Sequence, residues 1–340
     1  MRPGIPHRDQ AQGGAVVGPC SGREVSFGSC EPGLGAERSS ARSNRLAPFR
    51  TLIEGLSFGE CPRWHEGRLY LSDFYAHRVL AVSTDGGIET IARVPQQPAG
   101  LGWLPDGRLL VVSMRDRRIL RCEDDGSLQQ HADLSGLVSS HLNDMVVACD
   151  GRAWVGNFGF DLMAGERYRT TALVCVEPNG EARIAADGLG FPNGMAITPD
   201  GTTVIVAETI MNRLSAFRVA HGTLSQRRTW AAFGDVPDPD SGPIRVPRGA
   251  TLPDGICLDA EGAVWVADAG NRRLLRVAEG GAILEQRATE GVGVFACALG
   301  GDDGRTLFAC VAPSFLEREV AHRRDAAVVM TTVDVPGPAW

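Results

Sequence analysis

The chain reads as an all-β protein, a six-bladed β-propeller with a disordered N-terminal extension. Three observations predict this. Six turn glycines, Gly67, Gly107, Gly151, Gly201, Gly262 and Gly304, each follow an acidic residue and recur at a period of roughly 40 to 60 residues. After each glycine comes a short apolar strand, with Tyr70, Leu110, Trp154, Val204, Trp265 and Leu307 at the same step past the turn. A third and often a fourth strand-length run then follow, and four short strands per unit is the pattern of a propeller blade.

Taken in order, residues 1–46 are rich in Gly, Ser, Arg and Pro and lack the apolar core of a secretory signal, so they are expected to be a disordered tail before a propeller domain over 47–340. The first repeat turns at Glu66-Gly67 and continues through "RLYLSD", "RVLAVSTDG" and "IETIARV"; the second runs through "RLLVVSM", "RILRCEDDG" and "LQQHADL". The third, "MVVACD" and "RAWVGNF", is interrupted by an insertion at 159–170 before "ALVCVEPNG". The fourth holds "GMAITPD", "TTVIVAE" and "RLSAFRVAHG", and a second insertion at 234–251 precedes the fifth, "LPDGICLDAEGAVWVADAG". The sixth is marked by "RTLFACV". The strand-like ends "FRTLIEG" and "AAVVMTTVDV" can share one blade and close the ring, though the sequence does not say which blade. A helical period competes only in the acidic-basic stretch 315–325.

Composition narrows the function. With 43% apolar residues in 340, a full core is available, and a net charge of −7 from 34 basic and 41 acidic residues argues against a nucleic-acid partner. No run approaches the ~18 apolar residues of a membrane span. The nine cysteines are odd in number and irregularly spaced, without a C-x-x-C, and several sit in apolar strand patterns. They read as buried thiols in a reducing, cytoplasmic setting. There is no signal for oligomeric state.

The position eight residues before each turn glycine holds Gly59, Ala99, Asn143, Asn193, Asp254 and Ala296, with Glu60 one residue later in the first repeat. Alone, Asp254-Gly255 reads as a turn. In a propeller, however, the first strand of each blade lines the central channel, so these positions converge on one mouth of the axis. Two carboxylates and two amides supply only oxygen, which suits a hard divalent cation: Ca²⁺ first, with Mg²⁺, Mn²⁺ or Zn²⁺ as alternatives. The same strand directions put both insertions on the ligand face, where they serve as substrate-selecting loops or tolerated surface additions.

At this point the chain resembles the SMP-30/gluconolactonase/LRE family of six-bladed propeller hydrolases. The resemblance rests on "GECPRW" around Glu60, "HLND" at 141–144, "FPNGMAITPDG" around Asn193 and "LPDGICLDAEGAVWVAD" around Asp254, over about 55–311. It implies that Glu60, Asn193 and Asp254 are metal ligands, that Asn143 approaches the metal or the substrate, that Asp254 is also the general acid/base, and that Asp161 contacts substrate. The implied activity is hydrolysis of a small-molecule lactone, with a cation polarising the carbonyl and His141 and Asn143 orienting the ring. Two positions depart from the family pattern. Cys61 stands where many members have Gly, and His141 stands where sugar-lactone members have a substrate-binding Arg, which questions an aldonolactone substrate. A calcium-dependent phosphotriesterase and a non-catalytic binding propeller with a structural ion are the alternatives. No G-x-S-x-G, P-loop or dinucleotide fingerprint is present.

Overall fold

The computed structural model describes residues 47–220, 222–235 and 249–338. The tail expected over 1–46 and most of the second insertion lie outside these residues. Six four-stranded antiparallel sheets form, and the first strands of neighbouring sheets touch all the way round: Gly59–His65, Pro98–Trp103, Leu142–Val147, Pro192–Ile197, Pro253–Leu258 and Gly293–Gly300. We number the blades in that order. The fold is the expected six-bladed propeller.

Burial explains why some strands were easier to read than others. Second strands such as Leu109–Ser113 and Val264–Asp268 are buried at every position, so they are apolar up to their last residue. Fourth strands lie on the rim; Ile88–Arg93 and Ile283–Ala288 are mostly exposed and carry a weak pattern. Trp154 packs with Met195 and Val204 of the next blade, and Trp265 with Val294 and Cys297. The large apolar position of each repeat thus cements one sheet to its neighbour. The two chain ends meet in blade 6, where Arg50–Leu56 is the outermost strand and pairs with Ala326–Thr332. The first strand of the domain therefore fastens the last blade and closes the ring. One α-helical turn, Glu317–Val320, sits in the stretch where a helical period was visible.

Two details of the inner strands place the site. First, every first strand carries a break in register near its start: Glu60/Arg63, Pro98/Leu101, Leu142/Met145, Pro192/Met195, Pro253/Ile256 and Val294/Ala296. Such a bulge re-aims side chains locally, and in four blades an oxygen-bearing residue stands on it. Glu60 falls out of count with the others because blade 1 turns in a tight hairpin, with His65 facing Arg68, whereas Leu258 faces Val264 in blade 5. Each of the four oxygen-bearing positions is nonetheless the second residue of its strand.

Second, the Asp254-Gly255 pair is not a turn. Gly255 lies inside the strand, and a Cβ there would stand 2.5 Å from Ala296 Cα of blade 6. Likewise, a Cβ on Gly194 would stand 2.5 Å from the Ile256 nitrogen. These glycines let first strands approach at the axis, unlike Gly262 at the hairpin, which has φ +80° and open space around it.

Candidate functional site

Glu60, Asn143, Asn193 and Asp254 line the floor of one cavity of about 530 Å³ at the mouth where the first strands begin. All four are more than nine-tenths buried. His141 and Asp161 line the same cavity. The structure therefore brings together all six residues singled out in the sequence, although they span nearly two hundred positions.

The starts of the first strands are held by a device the sequence reading missed. Asp73, Glu208 and Asp268, at the ends of second strands, are fully buried. Asp73 accepts the backbone N–H of Ser57 (2.9 Å) and Phe58 (3.2 Å), Glu208 that of Gly190 (2.8 Å), and Asp268 that of Leu252 (3.0 Å). Each also receives an arginine five residues on: Arg78 at 2.9 Å, Arg213 at 2.9 Å and Arg273 at 2.7 Å. The carboxylate thus pins the backbone just ahead of Glu60, Asn193 and Asp254. A visible signal existed: an acid followed by Arg at a spacing of five after the second strand in three repeats. In blade 3, Asn157 at the corresponding strand end instead ties the two ends of the first insertion, accepting the Gly159 N–H at 3.1 Å and the Thr171 hydroxyl at 2.6 Å.

The charge around the floor is unbalanced. Asp144, beside Asn143, is buried, and Arg63 reaches across from blade 1 to donate to its Oδ1 at 2.6 Å and to the Met145 carbonyl at 2.7 Å. Burial, and then the negative charge of Asp254, push the Glu60 carboxyl well above the usual carboxylate range. Burial and the charge of Asp144 do the same to Asp254. Three carboxylates face one guanidinium, so a bound cation would relieve the excess. Neither Asp144 nor Arg63 was predicted, because nothing in the sequence shows that the Arg63 side chain crosses between blades.

Among the described residues no three His, Cys, Asp or Glu side chains group as a metal site. A cation here would draw on the amide oxygens of Asn143 and Asn193 beside the two carboxylates. This all-oxygen donor set and its surplus negative charge fit a hard divalent ion.

Hydrogen bonds fix the floor. Asn193 Nδ2 donates to the Asp254 carboxylate and to Thr209 Oγ1 at 3.2 Å, and that hydroxyl donates to the Pro253 carbonyl at 2.7 Å. Glu60 Oε2 accepts the Cys61 N–H at 3.1 Å. Cys61 has φ +51°, in the left-handed region that glycine favours. On the wall, burial pushes the His141 imidazole below its ordinary pKa against the pull of Asp161, and the ring stands edge-on to Phe158 at 5.9 Å. Asp161 Oδ1 accepts the Ala164 N–H at 2.9 Å and shapes the first insertion.

Elsewhere, the seven described cysteines are all free, including Cys257 and Cys297, whose sulfurs lie 3.7 Å apart. Among the described residues no helix is long and apolar enough to cross a membrane.

Comparison with known proteins gives a consistent picture. Residues 58–312 match the SMP-30/Gluconolactonase/LRE-like region. A 6-deoxy-6-sulfogluconolactonase of Pseudomonas putida is 26% identical over 290 residues, 83% of this chain and 93% of that protein. A pentonolactonase of Haloferax volcanii is 26% identical over 226 residues, covering 64% of this chain and 69% of its own length. Among solved structures, a gluconolactonase from Xanthomonas campestris superposes with a TM-score of 0.65 at 25% identity, over 85% of this chain and 90% of that one. A luciferin-regenerating enzyme, 18% identical, shares the fold with a TM-score of 0.69 over 86% of this chain and 98% of its own.

Proposed function

The chain belongs to the SMP-30/gluconolactonase/LRE-like family, and from that premise we propose that it is a divalent-cation-dependent lactonase, a carboxylic-ester hydrolase that opens the ring of a small-molecule lactone. One observation carries this reading. Glu60, Asn143, Asn193 and Asp254 stand on equivalent bulges of four blades and share the floor of one cavity, with Asp254 held by the Asn193 amide. Two lactonases similar to the chain over most of their own length support it.

A cation held by these oxygens, with Ca²⁺ favoured by the donor set, supplies polarisation of the ester carbonyl and stabilisation of the oxyanion. The protein's own residues do the rest. Asp254 accepts a proton from the attacking water as the new C–O bond forms. It returns that proton to the ring oxygen as the old C–O bond breaks, so lactone and water become one hydroxy acid. Asn193 keeps the Asp254 carboxylate aimed into the cavity. Asn143 and the neutral His141 orient the ester, and Asp161 holds the loop above. The free thiols accord with a cytoplasmic setting, which we include in the proposal.

The test is a lactone panel assayed on metal-stripped protein with Ca²⁺, Mg²⁺, Mn²⁺ or Zn²⁺ restored singly. Turnover that EDTA abolishes and one cation restores is the expected result. No hydrolysis of any lactone with any cation would overturn the assignment.

A further inference from the structure

Above the oxygen-rich floor the cavity walls change character. On one side Phe58 packs against Phe74 at 5.7 Å and Phe295 at 4.9 Å, and Phe295 meets Phe315 at 6.4 Å. These rings come from blades 1 and 6. On the other side Phe158 stacks on Phe191 at 4.5 Å and 29°, at the junction of blades 3 and 4. In a six-bladed ring those two junctions are diametrically opposed, so the space between them is bounded by aromatic rings on both sides. Leu162 and Met163 of the first insertion add further apolar surface, and Met163 and Phe315 remain substantially exposed.

Much of the polar complement of these walls is already engaged within the protein. The Thr209 hydroxyl donates to the Pro253 carbonyl, and the Tyr75 hydroxyl to the Phe315 carbonyl at 2.6 Å. Arg115 is held by Gln97 and by Glu317, both at 2.8 Å. Asp161 Oδ1 accepts the Ala164 N–H of its own loop at 2.9 Å. A ring bearing several hydroxyls would bury them against phenylalanine faces that offer no hydrogen bond, which is costly for each one. An aromatic substituent would instead remove apolar surface from water and gain ring-to-ring contact on both sides.

We propose, resting on the lactonase reading above, that the substrate is a lactone whose ring carries a bulky aromatic substituent in place of a sugar lactone's hydroxyls. The floor would grip the ester while the opposed phenylalanine walls hold the substituent. His141, packed edge-on to Phe158, belongs to this apolar wall as much as to the polar floor.

The test compares δ-valerolactone, its phenyl-substituted derivative and D-gluconolactone as substrates of the cation-loaded protein. The matching lactams, which are not hydrolysed, are compared by calorimetric binding. The expected kcat/KM for the phenyl lactone exceeds both others at least tenfold, and the phenyl lactam binds at least tenfold tighter than gluconolactam. In Phe315→Ser the phenyl-to-unsubstituted ratio falls at least threefold, because that ring is lost from the wall. Turnover that favours gluconolactone, gluconolactam binding as tightly as the phenyl lactam, or an unchanged ratio in the variant would overturn this inference and leave the lactonase assignment standing. Hydrolysis of none of the three overturns this inference, and the full lactone panel with each cation then decides the lactonase assignment separately.

Discussion

Replacing Gly255 by alanine tests whether the axis of the propeller positions the reacting groups. The added Cβ would stand 2.5 Å from Ala296 Cα and 2.6 Å from its Cβ, both on the first strand of blade 6. Carbon atoms rest at about 3.5 Å or more, so the two strands must part by about 1 Å. Overpacking of this kind costs roughly 1–3 kcal/mol, and the stiffer unfolded chain returns about 0.4–1 of it. The net loss of about 1.3 kcal/mol lowers the melting temperature by roughly 2 °C in a domain of this size. Asp254 is the preceding residue, so it moves with the strand, and a misplacement of about 1 Å is expected to lower kcat by about a hundredfold. Gly262→Ala is the control. It forces alanine to φ +80° with open space around it, eight residues from Asp254 and at the other end of the strand. It costs about 1 kcal/mol of backbone strain and little activity. Both variants are measured by thermal melting and by steady-state kinetics on the best lactone of the panel. If Gly255→Ala melts with the parent and keeps kcat within twofold, the close approach of the first strands does not set the position of Asp254, and the reasoning fails.

Four further variants follow from the same geometry. Asp254→Asn should lose about a hundredfold to ten-thousandfold in kcat, while the cation-free protein melts higher because one of three crowded carboxylates is gone; near-parental turnover would remove Asp254 from its catalytic role. Arg63→Met leaves Asp144 buried without its guanidinium partner and should cost about 3–5 kcal/mol in urea unfolding; no loss would show that the pair does not balance the floor. In Glu208, burial pushes the carboxyl up, but hydrogen bonds from Arg213, Ser215 and the Gly190 N–H outweigh it, leaving the group below its ordinary value. Its contribution is therefore complete above the unfolded pKa of about 4.3 and disappears as pH falls through the folded value. Glu208→Gln should cost about 3 kcal/mol at neutral pH and unfold less steeply with acid below about pH 4.3; parallel acid titrations of variant and parent would contradict this. Trp265→Ala, which empties the junction of blades 5 and 6, should cost about 3–5 kcal/mol by the same unfolding measurement.

The fold was legible because repetition multiplied a weak signal. A single run such as "AVWVADA" fits many folds, but six acid-glycine turns, each leading into an apolar strand, fit a ring. Burial made the second strands apolar up to their last residue and therefore conspicuous, while fourth strands on the rim kept only a faint pattern. The pairing of the domain's first strand with blade 6 was not legible, because local sequence carries no record of which distant edge a strand joins.

The sequence by itself determined the number of blades and the oxygen-bearing residues Glu60, Asn143, Asn193 and Asp254 at or one residue from the equivalent point of four repeats, since repeat register follows from spacing. Only the tertiary structure decided that Gly255 is a contact glycine rather than a turn, that Asp73, Glu208 and Asp268 pin the first strands, that Arg63 crosses to Asp144, and that opposed phenylalanine pairs wall the cavity. Each of these depends on distances between side chains on different blades, and ring closure sets those distances where no spacing along the chain can.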